Sequence, residues 1–181
     1  LLVCLVRFVR SCLWLRSQRE REKAVPDELN RMAEKICDEL GLRCPPPIRV
    51  IAGVTMPLVT GVIHPRVLVP EDFPGWSVQE QEATLWHELM HIRRRDTVGH
   101  AMSKLMRFLF WFHPATFLLD RRLRESREWA TDRQVVLWDG DGDGGLDPKE
   151  YAESLLNVVA RLGASATRPH VSYGSAIAMS A

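Results

Sequence analysis

Two histidines enclose a glutamate in a pattern that suits metal chemistry. His87, Glu88 and His91 spell H-E-x-x-H. Residues four apart lie on the same face of an α-helix, so both imidazoles can bind one metal ion, with the carboxylate of Glu88 beside them. In zinc hydrolases with this pattern, the metal activates a water molecule and the glutamate acts as general base. The pattern therefore predicts a zinc-dependent hydrolase.

A second pair of residues at the same spacing offers a candidate for a third zinc ligand. Catalytic zinc takes three protein ligands and keeps a fourth position for water. Glu128 and Asp132 are also four apart, in an arginine-rich stretch with a helical pattern. We predict that Glu128 is the third zinc ligand and that Asp132 accepts the free N–H of a ligand histidine, which fixes the imidazole tautomer. The alternative is that both are surface carboxylates paired with arginines along the helix.

A capping box predicts the helix that carries the two histidines. Ser77 precedes Glu80 by three residues, and neither Gly nor Pro occurs from Gln79 to Ile92. A helix is therefore expected to begin near Ser77 and to continue through both histidines. Its buried stripe is expected to consist of Val78, Leu85, Leu89 and Ile92.

Shorter elements precede this helix. Pro26–Glu28 opens a predicted helix that stops at Gly41. After it, β-branched segments predict three short strands, at residues 48–52, 58–63 and 66–69. An edge strand beside a metal site can pair with an extended peptide substrate through main-chain hydrogen bonds. The candidates for this contact, which equally suit a plain hairpin, are Leu58, Val59, Thr60 and Gly61.

An apolar, aromatic stretch follows the H-E-x-x-H motif at residues 105–119. It is shorter than the span of about 20 residues that crosses a bilayer. If it did cross, the two histidines and Glu128 would lie on opposite sides of the membrane and would not share a metal ion. We therefore predict a helical hairpin, buried or facing the membrane, that bends at Pro114.

Four motifs in this order resemble those of the BlaR/MecR-type membrane metallopeptidases, which are the protease parts of β-lactam sensor-transducers and of many related proteins. The resemblance covers most of residues 45–165. Its motifs are Pro57–Pro70, His87–Asp96, Trp111–Pro114 and Glu128–Asp132. Two positions depart from the family pattern, which usually has Asn at the position of His113 and often Cys at that of Thr131. Neither is a predicted ligand.

The resemblance implies an α+β fold of the zincin type, mainly helical with a small β-sheet and associated with the membrane. Within that fold, the gluzincin arrangement places His87, His91 and Glu128 on Zn²⁺, with Glu88 as general base. The implied function is a membrane-anchored endopeptidase that acts in regulated proteolysis during signal transduction. The peptidase domain is expected on the cytoplasmic side of the inner membrane, with a protein or peptide as substrate, such as a cytoplasmic repressor or the protein itself.

A second metal motif occupies residues 139–150. An EF-hand loop has oxygen ligands at positions 1, 3, 5, 9 and 12, a glycine at position 6 and a backbone carbonyl ligand at position 7. The predicted Ca²⁺ ligands are Asp139, Asp141, Asp143, Gly145, Asp147 and Glu150. The end of the loop also suits a helix N-terminus, with Asp147 as N-cap, Pro148 at N1 and Glu150 at N3. Capping accounts for only two of the acidic residues, so we favour calcium.

The N-terminal residues indicate a membrane boundary. Residues 1–15 are apolar but interrupted by Arg7 and Arg10, and further basic residues follow up to Lys23. This distribution favours the cytoplasmic end of a membrane helix, since basic residues accumulate on that side. The alternative is an amphipathic helix on the membrane surface. The predicted organisation is a membrane or interfacial segment at 1–23, a metallopeptidase domain at 24–165 and a linker or truncated segment at 166–181.

The overall composition argues against some partners. The 181 residues carry a net charge of +1, so the chain lacks the strong basic excess with which proteins attract nucleic acid. The four cysteines show no C-x-x-C spacing, and we expect reduced thiols.

Two other functions fit parts of the pattern. One is a membrane zinc protease of the quality-control or prenyl-protein type, which shares H-E-x-x-H and a later glutamate; the Pro57–Pro70 stretch argues against it. The other is a calcium-responsive binding module on a non-catalytic zincin scaffold. The presence of Glu88 argues against that module, because a scaffold has no chemical need for a general base.

Overall fold

The computed structural model describes residues 23–138 and 146–166. These residues form a mainly helical α+β domain with a small mixed sheet, as the sequence predicts. The helices are α1 (Asp27–Glu39), α2 (Val78–Arg93), α3 (Asp96–Leu109), α4 (Pro114–Val136) and α5 (Pro148–Ala166). The strands are β1 (Lys23–Ala24), β2 (Ile48–Val50), β3 (Leu58–Thr60) and β4 (Arg66–Val69), and a 3-10 turn covers Phe73–Gly75.

Three of the four strands match predicted segments, two of them in shortened form, while β1 was not predicted. The first predicted helix ends just before Gly41, whose φ of +67° allows the chain to turn back. The predicted segments at 1–23 and 166–181 lie almost wholly outside the described residues. The domain boundaries therefore stay predictions.

The four strands form one sheet in the order β1-β2-β4-β3. β2 and β4 are parallel, whereas β1 and β3 lie antiparallel to their neighbours at the two edges. Val67 of β4 donates its N–H to the carbonyl of Pro47, on the β2 side. Val59 of β3 lies opposite Val67, so these two residues form a non-hydrogen-bonded pair. The backbone polar groups of Val59 therefore face away from the sheet.

Helix α2 lies at the centre of the domain and contacts the other four helices and β3. Leu85, Trp86 and Leu89 are at most 1% exposed, and Ile92 is partly buried against the same core. The prediction for Val78 is wrong: its side chain is exposed, because it is the first residue of the helix and lies beyond the packed part. The burial of this helix fixes the orientation of the face that carries the histidines.

Helix α5 packs antiparallel to α2 and contacts it near both ends of α5. Ser77 and Glu80 form the predicted capping box at the start of α2. The carboxylate of Glu80 also accepts two hydrogen bonds from Arg161 of α5. At the other end of α5, the Tyr151 hydroxyl lies 3.0 Å from Nδ1 of His87. Helix α5 is therefore bonded at two points to the helix that carries the H-E-x-x-H motif.

A sharp turn joins α2 to α3. Arg95 adopts a left-handed backbone conformation with φ 57°, so α3 begins at Asp96 almost directly after α2 ends. Because the chain reverses within so few residues, the carboxylate of Asp96 returns to the side of His91.

The apolar stretch at 105–119 forms the bend of a helical hairpin, as predicted. Helix α3 ends at Leu109 and α4 begins at Pro114. His113 caps α4, because its Nδ1 accepts a hydrogen bond from the backbone N–H of Ala115 at 3.2 Å. Among the helices described, none combines the length and the apolar character needed to cross a membrane.

Candidate metal centre

Three side chains converge where α2 faces α4. Nε2 of His87 lies 3.1 Å from Nε2 of His91. Oε2 of Glu128 lies 3.4 Å from Nε2 of His87 and 3.7 Å from Nε2 of His91. Within the described ranges, this is the one cluster of His, Cys, Asp and Glu that could hold a metal ion. The structure thus brings together the three residues that the sequence singled out as zinc ligands.

The separations within this cluster fit a tetrahedral zinc site. Zinc bonds imidazole nitrogen and carboxylate oxygen at about 2.0–2.1 Å, which places two tetrahedral ligand atoms about 3.3–3.4 Å apart. The observed distances lie on either side of this value. Two imidazoles with one carboxylate are also a donor set that catalytic zinc uses when it keeps a fourth position for water. The Glu128 side chain is 49% exposed, so water and substrate can reach the site from that side.

Two side chains hold the outward nitrogen of His87. Its Nδ1 lies 3.0 Å from Oδ1 of Asp132 and 3.0 Å from the Tyr151 hydroxyl. That hydroxyl in turn donates a hydrogen bond to Oδ1 of Asp132 at 2.8 Å. Asp132 is therefore placed where a carboxylate can accept the N–H of a metal-binding imidazole.

The outward nitrogen of His91 has a carboxylate partner as well. Its Nδ1 lies 2.8 Å from Oδ2 of Asp96 and 3.3 Å from Oγ1 of Thr131. The carboxylate of Asp96 is buried and also pairs with Nε of Arg94 at 3.2 Å. Both histidines thus direct Nε2 inward and Nδ1 toward a carboxylate, which is the arrangement that fixes the tautomer of metal-binding imidazoles.

Helix α4 is fixed against α3 beside Glu128. The neighbouring Arg127 donates a hydrogen bond to the hydroxyl of Ser103 at 3.2 Å and lies 3.3 Å from Nδ1 of His100. Its guanidinium crosses α3 at Gly99, where a Cβ atom would lie 2.9 Å from Nη2. The absence of a side chain at this position therefore allows the close approach that positions Glu128.

Carboxylates dominate the electrostatics of the centre. Burial acts to lower the pKa of His87, but hydrogen bonds to Asp132 and Glu128 outweigh it and raise the pKa above its ordinary value. The pKa of His91 is raised in the same way, by Asp96 and Glu128. Hydrogen bonds from the two histidines hold the pKa of Glu128 well below its usual range. This surplus of negative charge favours a divalent cation, which must compete with protons for the imidazoles.

Glu88 is buried beside the two histidines. Burial raises the pKa of its carboxyl above the usual range, and the two imidazoles and a hydrogen bond from the backbone of Val59 only partly oppose this shift. A carboxylate with a raised pKa accepts a proton more readily near neutral pH. The bond from Val59 also brings the edge strand β3 directly beside the predicted general base.

The four candidate residues for substrate pairing lie at the edge of the sheet. Leu58, Val59 and Thr60 make up β3, and Gly61 follows it with φ +91°. A Cβ atom at Gly61 would collide with the carbonyl of His64, so the chain turns away from the strand at this glycine. The strand thus offers a short edge next to Glu88 that ends at this turn, and its pairing with β4 holds it there.

The predicted calcium loop is described only at its end. Four of its residues lie outside the described ranges, namely Asp139, Asp141, Asp143 and Gly145. Asp147 caps α5, because its Oδ1 accepts a hydrogen bond from the backbone N–H of Lys149 at 2.7 Å, and Glu150 lies in the first turn of that helix. Capping accounts for Asp147, and no contact of the described residues supports calcium, which stays a prediction.

Sequence reasoning missed three partners of the histidines, namely Asp96, Thr131 and Tyr151. Asp96 lies five residues beyond His91 and past a left-handed turn, so helical spacing does not place it there. Tyr151 is 64 residues away from His87. The available signal was the position of Thr131 directly before Asp132, which puts it on the same helix as the third predicted ligand.

Comparison with known proteins identifies relatives of this chain. The profile of a family described as BlaR1 peptidase M56 matches residues 1–179. The chain is 29% identical over 83 residues to the regulatory protein BlaR1 of Bacillus licheniformis, a region that covers 46% of this chain and 14% of that protein. It is 23% identical over 86 residues to the methicillin resistance mecR1 protein of Staphylococcus aureus, covering 47% and 15% respectively. The chain therefore spans only a small part of the length of these curated relatives.

Proposed function

Because this chain belongs to the BlaR1 peptidase M56 family, a family of metallopeptidases, we propose that it is a zinc-dependent endopeptidase of the gluzincin type. The observation that carries the proposal is the convergence of His87, His91 and Glu128 on one point, with Glu88 buried beside them. A scaffold without activity has no need of a buried carboxylate at this position, since burying it costs free energy.

In the proposed peptide hydrolysis, the metal and the side chains of the protein have separate roles. Zinc, when bound, supplies a Lewis acid that lowers the pKa of a water ligand and polarises the carbonyl of the scissile bond. Glu88 takes a proton from the attacking water and returns it to the leaving amine. Asp132 and Asp96 hold the imidazoles of His87 and His91 in the orientation and tautomer that leave each Nε2 free.

An extended peptide can pair with β3 beside Glu88. The register of the sheet limits which backbone groups of β3 are free to bond to that peptide. Leu58 and Thr60 form the hydrogen-bonded pairs with β4, so their backbone groups are used within the sheet. The N–H of Val59 bonds to Glu88. The carbonyl of Val59 faces the same way, and we propose it as the acceptor for a backbone N–H of the substrate.

The biological role that we propose is regulated proteolysis in signal transduction, on the cytoplasmic side of the cell membrane. One relative is named a regulatory protein, which supports a regulatory role. The proposed substrate is a protein or peptide, with a cytoplasmic repressor and the protein itself as the first two to test.

The activity is tested by comparing the wild type with Glu88→Gln, which keeps the shape of the side chain and removes its basicity. Both proteins are loaded with zinc and incubated with a peptide library, and products are identified by mass spectrometry. We expect Glu88→Gln to retain zinc and to lose about 10²–10⁴-fold in cleavage rate. Glu82→Gln, the same change on the same helix, is the matched control and is expected to cleave like the wild type. If the zinc-loaded wild type cleaved peptides no faster than Glu88→Gln, the chain would instead be a non-catalytic scaffold.

A further inference from the structure

A third histidine lies close to the candidate metal centre. His100 is on α3, one helical turn after Asp96, whose carboxylate lies beside the outward nitrogen of His91. The charge of His91 lowers the pKa of His100 and that of Glu128 raises it, so His100 lies within the electrostatic reach of both. His100 does not belong to the cluster that could hold a metal ion. It is therefore available for another role at the centre.

The spacing along the two helices places His100 level with the third candidate ligand. On α4, Asp132 lies beside the outward nitrogen of one histidine, and Glu128, one turn earlier, reaches the two inward nitrogens. On α3, Asp96 lies beside the outward nitrogen of the other histidine. The helices run antiparallel, so one turn forward on α3 and one turn back on α4 lead in the same direction. His100 therefore lies at the level of the metal position, as Glu128 does.

Arg127 fixes the tautomer of His100. Nη1 of Arg127 lies 3.3 Å from Nδ1 of His100. A guanidinium can only donate hydrogen bonds, so Nδ1 is the acceptor and the ring proton is on Nε2. Burial and the positive charge of Arg127 both lower the pKa of His100, which agrees with a neutral imidazole. Among the residues that the structure describes, Nε2 has no hydrogen-bond partner. His100 thus offers a free N–H donor at the half-buried wall of the centre.

The same arginine makes His100 a poor metal ligand. The guanidinium of Arg127 is held in place by the Ser103 hydroxyl at 3.2 Å and by its close approach to Gly99. A fixed positive charge against one ring nitrogen opposes the binding of a cation to the other. The N–H of His100 is instead suited to an oxygen acceptor, and the backbone carbonyl of a peptide is such an acceptor.

Strand β3 and His100 border different sides of the metal position. The N–H of Val59 bonds to Glu88, whereas His100 lies with Asp96 and Arg127 where α3 meets α4. Successive residues of an extended peptide direct their backbone N–H and C=O groups to opposite sides. When one substrate residue pairs with β3, the carbonyls of its two neighbours therefore point away from β3, toward the side of His100.

We propose that His100 binds the substrate backbone by donating its Nε2–H to the carbonyl of a residue adjacent to the one that pairs with Val59. This role of His100 rests on the peptidase function proposed above. Arg127 is then a positioning residue, because it holds the imidazole in the tautomer that donates. Since both contacts are made to the main chain, the site takes a substrate segment in extended conformation. It rejects a helical segment, whose carbonyls are already bonded within the helix.

The test uses probes that bind zinc with and without a peptide chain. Acetohydroxamate binds zinc through its hydroxamate and presents no peptide backbone. Two peptide hydroxamates carry the same group at the N-terminal or at the C-terminal end of a chain of three alanines, so that together they place backbone carbonyls on both sides of the metal position. Calorimetry measures the affinity of the zinc-loaded full chain for each probe.

Three variants separate the N–H donor from the shape of the ring. His100→Phe keeps a ring but has no donor, and we expect it to weaken at least one peptide hydroxamate about tenfold while acetohydroxamate binds as before. His100→Gln is expected to restore most of the affinity, because its amide nitrogen can take the place of Nε2. His113→Phe is the matched control, since the exposed His113 lies about 20 Å along α4 from Glu128. Zinc content and circular dichroism verify that each variant is folded.

Several results would overturn this role of His100. Unchanged affinity of His100→Phe for both peptide hydroxamates would do so, and so would a failure of His100→Gln to restore what His100→Phe loses. Equal weakening of all three probes, together with loss of zinc, would instead make His100 part of the metal support. In each of these cases, cleavage that depends on Glu88 would leave the proposed function standing. A wild type that binds none of the hydroxamates would remove the metal centre on which both proposals rest.

Discussion

The hydroxyl of Tyr151 donates a hydrogen bond to Oδ1 of Asp132, with 2.8 Å between the oxygens, and Asp132 in turn lies 3.0 Å from Nδ1 of His87. The last helix that the structure describes thereby reaches the candidate metal centre through one buried phenol. The Tyr151 hydroxyl touches the outward nitrogen of His87 as well as Asp132, so we expect it to position the imidazole, both directly and through the aspartate.

Removing this hydroxyl is expected to weaken zinc binding. Tyr151→Phe keeps the ring in the core, but Asp132 loses a hydrogen-bond donor and holds His87 less firmly. We expect a loss of about tenfold in zinc affinity, and a larger loss for Asp132→Ala, within the 10–100-fold range of such partners. Affinity is measured by competition with a chelator, and thermal unfolding without zinc separates this effect from a loss of fold. Wild-type affinity in Tyr151→Phe would contradict the positioning role.

The third ligand is tested by metal content. Glu128→Ala is expected to lower the zinc content from about one ion per chain to nearly none, because two imidazoles alone form an incomplete site. Glu125→Ala, one turn earlier on α4, is the matched control and should keep the zinc. Mass spectrometry of the three purified proteins gives the ratio directly. Zinc that survives Glu128→Ala would show that another residue completes the site.

Zinc affinity is expected to rise with pH. Without metal, the surrounding carboxylates raise the pKa of His87 and of His91, so zinc must displace protons from both imidazoles. Each displaced proton changes the apparent affinity about tenfold per pH unit, and affinity therefore falls as pH falls. The measurement is chelator competition between about pH 6 and pH 8. Asp132→Asn is expected to flatten the slope, because it removes a carboxylate that holds the proton on His87; a flat wild-type profile would refute this account.

Glu80 is expected to stabilise the domain in a pH-dependent way. Burial raises the pKa of its carboxyl, but hydrogen bonds from Ser77 and Arg161 outweigh burial and lower it overall. A carboxyl with a lowered pKa in the folded state stabilises the fold above its unfolded pKa, and this contribution is lost as pH falls through the folded pKa. Glu80→Gln is therefore expected to reduce the free energy of unfolding by about 1–2 kcal/mol at neutral pH.

Urea unfolding at several pH values checks this prediction. The difference between the wild type and Glu80→Gln is expected to shrink below about pH 4.3, the ordinary value for glutamate. Glu82→Gln on the same helix takes no part in the capping box and serves as the control. A difference that stays constant down to acid pH would mean that charge is not its source.

Calcium binding is tested at two positions of the acidic loop with different expected roles. Asp147→Ala is expected to destabilise the domain by about 1 kcal/mol with or without calcium, because Asp147 caps α5. Asp143 precedes the N-cap position of α5 by four residues in the sequence, so Asp143→Ala is expected to matter only if the loop binds calcium. The measurement is the shift of the unfolding temperature on adding calcium at fixed zinc. No shift in the wild type would leave capping as the function of this segment.

The sequence alone predicted the helix at the candidate metal centre and the two histidines on it. Ser77 and Glu80 predicted where α2 begins, and residues four apart on that helix necessarily share a face, which brings His87 and His91 together. The bend at Pro114 and the strands around Val59 and Val67 were likewise predicted from the sequence, because proline and β-branched residues constrain the backbone wherever they occur. Such spacing patterns give information only about residues that are close together along the chain.

The tertiary structure alone decided which partners hold the histidines and which backbone group of β3 lies beside Glu88. Tyr151 reaches His87 because α5 packs antiparallel to α2, and Asp96 reaches His91 because Arg95 takes a left-handed turn. Val59 presents its polar groups to Glu88 because the register with β4 leaves it in a non-hydrogen-bonded pair. The sequence by itself therefore singled out the candidate metal-binding residues, and helical periodicity paired His87 with His91. The side chains that support them depended on packing between segments far apart in the chain, which no local spacing encodes.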